Sequence, residues 1–398
     1  MAGGALARCV GDVPSFRSTA WSRAPLLRRG ADPCAFADLL SLDDVDALVS
    51  TSMPRVPELR MVRDGKPLPV SAYTRTTKVG GRPVAGVGDP GRIYRELEAG
   101  ATLVFQSLQR YWPPLARFCR SLELELTHPA QANAYITPPR ARGLAVHHDT
   151  HDVFVLHLSG RKQWQVYEPA VELPLPDQPW KAATHTPGPV VLSVGLEPGD
   201  CLYVPRGFPH SASANEAATA HLTVGVLAFT AQDVVRDVLA RTRADVAFRR
   251  ALTPGFASDE AALASDVAAL VEELRQWLGT VDAAAVAATI TKRFWTTRPP
   301  LLAGQLRQLA LVGSVDDRTR VRGRPGTAWR LFPGVDGRVT LSLGDRELHM
   351  PAALEAVVAR LLASSDVTVG DLADEMDEKS RLVLVRRLVR EGALEVLE

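Results

Sequence analysis

Three residues in this chain have the types and spacing to hold a metal ion. In Val146-His147-His148-Asp149 an imidazole and a carboxylate stand two positions apart. On an extended backbone alternate side chains share a face, so His147 and Asp149 point together and His148 points away. Downstream, Gly199-Asp200-Cys201-Leu202-Tyr203-Val204-Pro205-Arg206-Gly207-Phe208-Pro209-His210 reads as strand, tight turn, strand. Its Pro-Arg-Gly turn returns His210 toward the same end of the fold. Two imidazoles and one carboxylate make a facial triad, which leaves positions at Fe(II) open for a substrate and oxygen. A lone His-x-Asp pair occurs by chance, and the second segment is what turns it into a site. A zinc hydrolase uses similar ligands, so the cosubstrate must decide the chemistry. The neighbouring His148, His151 and His157 read as surface or pocket-rim residues.

The chain carries six lysines among 46 basic residues, which draws attention to where each lysine falls. Val153–Leu158 is followed by Ser159-Gly160-Arg161, a turn, and then by Lys162-Gln163-Trp164-Gln165-Val166-Tyr167. This reads as a hairpin whose second strand begins at Lys162. An Fe(II) oxygenase driven by 2-oxoglutarate must hold the far carboxylate of that keto acid with a fixed cation, and a buried ammonium suits it. By its own neighbourhood, the reading of Lys162 as a solvated hairpin residue is slightly preferred.

Elements that could position these groups follow from the texture of the chain. Residues 1 to about 128 contain helical stretches, with Ser41 as N-cap of a helix through Val45–Leu48, and further helices over Ile93–Ala99 and Leu115–Leu124. From Ala132 to Phe229 come short β-rich runs broken by Pro and Gly, the pattern of a β-barrel or sandwich. After Thr230, Ala231–Ala247, Asp259–Leu278 and Val281–Phe294 carry apolar residues at helical spacing, and Asp259–Leu278 is suited to pair with another helix. The last stretch reads as strands Arg338–Leu343 and Glu347–Met350, helices Pro351–Ala363, Val369–Met376 and Lys379–Glu391, then Gly392 and a strand Ala393–Leu397. Its end resembles a winged helix. Residues 301–398 hold 14 basic and 15 acidic residues, a net of −1, whereas phosphate-tracking domains are basic. Direct DNA binding is therefore not expected, and a protein-contact or structural role is.

Composition sets outer bounds. The 398 residues point to two or three domains, and a net charge of +1 argues against a protein that coats nucleic acid. No run of about 18 apolar residues is present, so no membrane span is expected. Met1 to Ser15 lacks the apolar core of a signal peptide. The four cysteines, Cys9, Cys34, Cys119 and Cys201, are scattered without a CxxC pair, as in a reducing compartment. A cytoplasmic protein is expected.

Several linked motifs resemble one known family. They are Asn133-Ala134-Tyr135-Ile136-Thr137-Pro138-Pro139, His147-x-Asp149, Asp152-Val153-Phe154-Val155-Leu156, Gly160-Arg161-Lys162-x-Trp164-x-Val166-Tyr167 and Gly199-Asp200-x-Leu202-Tyr203-x-Pro205-Arg206-Gly207-x2-His210. With Trp21–Arg29 and Arg110–Leu115, they are similar to the ribosomal oxygenases, JmjC-type (cupin-like) Fe(II)/2-oxoglutarate hydroxylases of ribosomal proteins. The resemblance runs from about residue 10 to 230. It implies an α+β fold: a double-stranded β-helix, the cupin/JmjC jelly-roll barrel, with N-terminal helices over 1–230. A helical dimerisation segment over 231–300 and a winged-helix-like domain over 301–398 would follow, in a homodimer. It further implies that His147, Asp149 and His210 bind Fe(II), that Lys162 holds the 2-oxoglutarate C5 carboxylate, and that Asn133 and Tyr135 line the pocket. Molecular oxygen would be the second cosubstrate, and a β-carbon of Arg or His in a ribosomal protein the target. His221 lies on a strand that similarly lines the barrel, without an assigned role. The chain departs from the family at His148, Thr150 and His157, which puts the substrate in doubt more than the reaction.

Two other readings use the same barrel. One is a tailoring hydroxylase of a peptide natural product or its precursor. The other is a non-catalytic, metal-holding cupin that senses a small molecule. A histone demethylase is the weakest reading, since no histone-reading module is visible.

Overall fold

The computed structural model describes residues 4–141, 144–214 and 216–397. The chain divides into two compact units, Met1–Ala228 with Leu301–Ala328 and Ala356–Glu398, and Phe229–Pro300 with Trp329–Glu355.

In the first unit, strands β1 (Leu26–Arg28), β2 (Leu59–Arg63), β3 (Lys66–Pro67), β6 (Thr102–Phe105), β7 (Ala130–Thr137), β8 (Asp152–Ser159), β11 (Cys201–Val204) and β13 (Thr219–Val226) form one antiparallel sheet. Its order is β1-β11-β8-β13-β7-β6-β2-β3. A smaller sheet orders β10 (Val190–Leu196), β9 (Lys162–Tyr167) and β12 (His210–Ala214) as β10-β9-β12, and β4 (Thr74–Val79) pairs with β5 (Arg82–Gly88) as a separate hairpin. The expected hairpin around Gly160 is not one: β8 belongs to the large sheet and β9 to the small one. The chain turns a corner there, and does so again between β11 and β12. Both corners deliver functional residues to the space between the sheets.

Alternation along each strand decides what faces that space. In β7 and β13 the residues Ala132, Ala134, Leu222, Val224 and Val226 are buried in the core shared with the N-terminal helices. Their neighbours Asn133, Tyr135, His221 and Thr223 line the cavity on the other face. A second core of Val153, Val155, Trp164, Val166, Val194, Leu196, Leu202 and Val204 draws on both sheets. At about 1.5–3 kcal/mol for each fully buried large apolar side chain, this contact is what holds the sheets together.

The helical layer forms where capping residues start it. Ser41 accepts the Asp44 N–H, while the Asp44 side chain accepts the Ser41 N–H, closing a capping box on helix Leu42–Thr51. Helix Pro113–Leu126 buries an ion pair, with Arg120 Nε 3.0 Å from Glu123 Oε2. The other Glu123 oxygen accepts the Ala130 N–H at 3.1 Å and so fixes the start of β7.

The carboxy-terminal part differs from the consecutive division at 230 and 300. Strands β14 (Arg320–Gly323), β18 (Val367–Thr368) and β19 (Leu394–Leu397) form a sheet of order β18-β14-β19 in the first unit, with helices Gln305–Leu311 and Glu378–Arg390. Strands β15 (Arg330–Pro333), β16 (Arg338–Ser342) and β17 (Glu347–Pro351) group with helices Ala231–Ala240, Glu260–Leu278 and Ala283–Thr296 in the second unit. Side chains explain this grouping. Lys292 Nζ lies 2.8 Å from Glu347 Oε1, and Arg330 sits over the Trp295 ring at 5.9 Å. The expected helix Val369–Met376 is only a 3-10 turn, Val369–Leu372, because Asp377 already caps the next helix through the Ser380 N–H. Helix Glu260–Leu278 buries none of its residues. No described helix is long and apolar enough to cross a membrane.

Candidate active site

The segment carrying His147 and Asp149 is extended but is not a strand; it makes one bridge, between His147 and His210. Alternation still holds. His147 and Asp149 face the cavity, while His148 is buried on the opposite side against Trp180 and His185. The segment that ends at Trp180 folds back over His148, with the Gln178 carbonyl 3.2 Å from its Nε2. His148 is therefore not a surface residue. His157 is fully buried too, whereas His151 is half-buried at the cavity wall.

His147, Asp149 and His210 each present one ligand atom within 4.8 Å of the others. Asp149 is the hinge of the cluster, with Oδ1 3.9 Å from His147 Nε2 and Oδ2 3.7 Å from His210 Nε2. Each imidazole is oriented by its other nitrogen. His147 Nδ1 lies 2.8 Å from the Ala145 carbonyl, and His210 Nδ1 lies 3.1 Å from that of Phe208. A carbonyl only accepts, so Nδ1 carries a proton in both rings, and in the neutral form of each ring Nε2 is the atom left with a lone pair. Burial pushes the His210 pKa down to about 4. Burial alone would raise that of Asp149, but the surrounding imidazoles, His210 foremost, outweigh it and hold the carboxyl below its usual value. Neutral imidazoles and an ionised carboxylate are the states in which these groups bind a metal.

Lys162 lies in the same cavity and is 2% exposed. Its Nζ donates to Thr137 Oγ1 at 2.9 Å, and Thr137 Oγ1 is 3.3 Å from Thr102 Oγ1. Burial without a carboxylate partner lowers its pKa from 10.5 to about 7. An ammonium in this position is suited to an anion entering the cavity. Asn133 and Tyr135 line the wall. Asn133 Oδ1 accepts the Ser107 N–H at 3.0 Å, and the Tyr135 ring stacks on that of His221.

All six residues, together with His221, fall inside the segment 105–234 that matches the JmjC domain family. Ribosomal oxygenase 1 of Homo sapiens is 31% identical over 318 residues, 75% of this chain and 48% of its own length. Ribosomal oxygenase 1 of Gallus gallus is 34% identical over 213 residues, 52% of this chain and 34% of its own. The solved ribosomal oxygenase YcfD of Escherichia coli covers 97% of this chain and 98% of its own, with a TM-score of 0.53 at 19% identity. Residues 105–234 thus match the JmjC domain, and the chain is similar to ribosomal oxygenases over as much as three quarters of its length. It spans about half the length of the human relative and a third of the chicken one. The similarity to YcfD establishes the cupin-like JmjC fold.

The turn before His210 is held by motif residues to which the sequence assigned no role. Asp152 is fully buried and accepts from Tyr203 Oη at 2.9 Å and from the Arg206 N–H at 3.2 Å. The same Tyr203 oxygen accepts the Ser22 N–H at 2.8 Å, which ties the Trp21-Ser22-Arg23 segment to the site. Asp200 takes the Arg29 guanidinium at 2.6 Å and the Gly30 N–H at 2.9 Å, so the Gly-Asp of the motif anchors β1. Trp164 and His221 also line the cavity, and Thr137 reaches it through Lys162; strand register supplies the places that the motifs left without a role.

Proposed function

We propose that the protein is an Fe(II)- and 2-oxoglutarate-dependent oxygenase that hydroxylates a side chain, Arg or His, of a ribosomal protein. One observation carries the reading: the His147–Asp149–His210 cluster and the buried Lys162 ammonium line a single cavity. The donor set fits Fe(II), because two imidazoles and one carboxylate leave positions open. YcfD has been solved with cobalt and 2-oxoglutarate, and with cobalt and succinic acid. Other relatives bear the name bifunctional lysine-specific demethylase and histidyl-hydroxylase NO66, among them that of Culex quinquefasciatus, 30% identical over 203 residues.

When bound, Fe(II) and 2-oxoglutarate supply, with oxygen, the power to hydroxylate an unactivated C–H bond, with succinate and carbon dioxide released. The protein's part is positioning. His147, Asp149 and His210 would hold the metal, and the Ala145 and Phe208 carbonyls keep the two rings aimed. Lys162 would pair with the far carboxylate, supported by Thr137. Val153, Val155, Trp164 and Val204 make much of the remaining wall apolar and exclude water. A recess lined by Asp64, Gly65, Gln163, Gln165 and Ser213 shares Leu144, Ser211 and Ala212 with the cavity. It offers hydrogen-bonding side chains to an extended peptide. The reading includes a cytoplasmic homodimer joined through helix Glu260–Leu278, and a winged-helix-like tail as a structural unit that does not bind DNA.

Incubation with Fe(II), 2-oxoglutarate and ribosomal proteins should release succinate and add the mass of one oxygen atom to a single protein. Succinate release equal in wild type and His147→Ala would overturn the enzyme reading. A product only on a biosynthetic peptide would overturn the ribosomal target.

A further inference from the structure

Around the Lys162 end of the cavity, four buried polar atoms have no hydrogen-bond partner among the described residues: Trp164 Nε1, Thr219 Oγ1 and the Nδ1 atoms of His157 and His221. A buried polar group left unpaired is costly, so such a concentration points to a ligand that supplies the missing partners. His157 has a partner for its other nitrogen, since Nε2 lies 3.0 Å from the Gly160 carbonyl. Trp164 and His221 both line the cavity, and the indole N–H can only donate.

His221 is held in one orientation. It is 3% exposed, and its ring stacks on Tyr135 with centroids 4.9 Å apart and planes 7° apart. It lies nearly parallel to His157 at 6.4 Å, and Trp164 meets it edge-on at 5.5 Å. Strand register places it close to the ammonium. Two residues before it on β13, Thr219 pairs with Thr137, the hydroxyl that accepts from Lys162. Burial, followed by the positive charge of Lys162, pushes the His221 pKa well down. A neutral imidazole keeps one N–H to donate without repelling the ammonium.

We propose that His221 is a specificity-determining residue for the cosubstrate, donating a ring N–H to the far carboxylate of a keto diacid that Lys162 neutralises. The inference rests on the 2-oxoglutarate reading above and adds the residue that selects a second carboxylate. Lys162 supplies charge, which any anion satisfies. A rigid N–H beside it rewards a carboxylate oxygen at one place.

The test is calorimetric titration of 2-oxoglutarate into the full-length protein loaded with Mn(II), without turnover. His221→Phe keeps a stacked ring and removes the N–H, and His221→Asn restores a donor. The Phe variant should bind 2-oxoglutarate about tenfold more weakly or worse, with the Asn variant closer to wild type. Mn(II) affinity, measured separately, should be unchanged in both. Should the Phe variant fail to fold, His221→Leu removes the N–H at smaller volume and is judged by the same criterion. Weakening by less than about tenfold, with wild-type binding intact, overturns the role of His221 alone. Absence of 2-oxoglutarate binding by the wild type overturns the cosubstrate reading, and the inference with it.

Discussion

His147 and His210 exchange both backbone hydrogen bonds, His210 N–H to His147 O at 2.8 Å and His147 N–H to His210 O at 3.3 Å. The Gly207 N–H also donates to the Asp149 carbonyl at 3.0 Å. The segment with two ligands and the turn with the third are thus one hydrogen-bonded piece, and ligand geometry is set by main chain before any metal arrives. This is how the protein keeps three metal-binding groups converged without a strand at His147. Their removal should be correspondingly severe: His210→Ala should abolish Mn(II) binding measured by calorimetry while leaving the far-ultraviolet circular dichroism unchanged.

Gly207 tests the same piece through the backbone. Its φ is +87°, and a Cβ there would meet the Val171 carbonyl at 2.4 Å and Pro174 Cδ at 2.7 Å. Gly207→Ala should therefore cost about 1–3 kcal/mol in urea unfolding and weaken Mn(II) binding, because relief of the clash moves the turn that carries His210. Wild-type affinity and stability together would show that the turn yields without displacing its ligand.

Lys162 gives a pH signature. Its folded pKa of about 7 lies below the ordinary 10.5, so between these values the unfolded chain binds the additional proton. Stability of the ligand-free protein then rises with pH across that window, and the penalty is fully present below about pH 7. Lys162→Met should remove this contribution. The gain in unfolding free energy from pH 7 to pH 9 should be larger in the wild type by at least about 1 kcal/mol. Succinate should reduce the difference, since an anion beside the ammonium raises its pKa. Identical pH profiles for the two proteins would contradict the buried, ligand-free ammonium.

These residues also show what could be read without coordinates. His147, Asp149 and His210 were legible because alternation and a Pro-Arg-Gly turn are local, and local rules survive even where the backbone is not a regular strand. Lys162 was ambiguous by its own neighbourhood, because its burial comes from the corner at Gly160, which moves β9 into the facing sheet. Thr137 meets Lys162, and Thr219 meets Thr137, only through the pairing of strands far apart in sequence. The burial of His148, expected at the surface or the pocket rim, was not legible because alternation says which way a side chain leaves a strand, not what folds over it. The grouping of β15–β17 with helix Ala283–Thr296 was not legible for a similar reason, since Lys292–Glu347 and Arg330–Trp295 join residues that no local pattern links.

The Asp152 cluster predicts a stability effect at a distance from the metal. Tyr203→Phe deletes the donor to a fully buried carboxylate and the acceptor for the Ser22 N–H. A loss of about 1–3 kcal/mol is expected in urea unfolding, the range for a buried group left without its partner. Because Asp152 also holds the Arg206 N–H at the turn before His210, Mn(II) affinity should fall as well. Full stability in the Phe variant would mean that another group takes over the carboxylate.

Helix Glu260–Leu278 supplies the last test, of the homodimer. It runs 19 residues without burying one, and Val267 and Val271 remain 47% and 59% exposed. These two stand four positions apart and so share a face of the helix. Apolar residues left exposed on one face of a helix are suited to a second copy of the chain, whose matching face would remove them from water. Val271→Glu should then convert a dimer to a monomer in light scattering at micromolar protein. The mutated position touches solvent within the chain, so unfolding free energy of the isolated subunit should change by no more than about 0.5 kcal/mol. A wild type that scatters as a monomer, or a Val271→Glu protein that stays dimeric, would place the interface elsewhere or remove it.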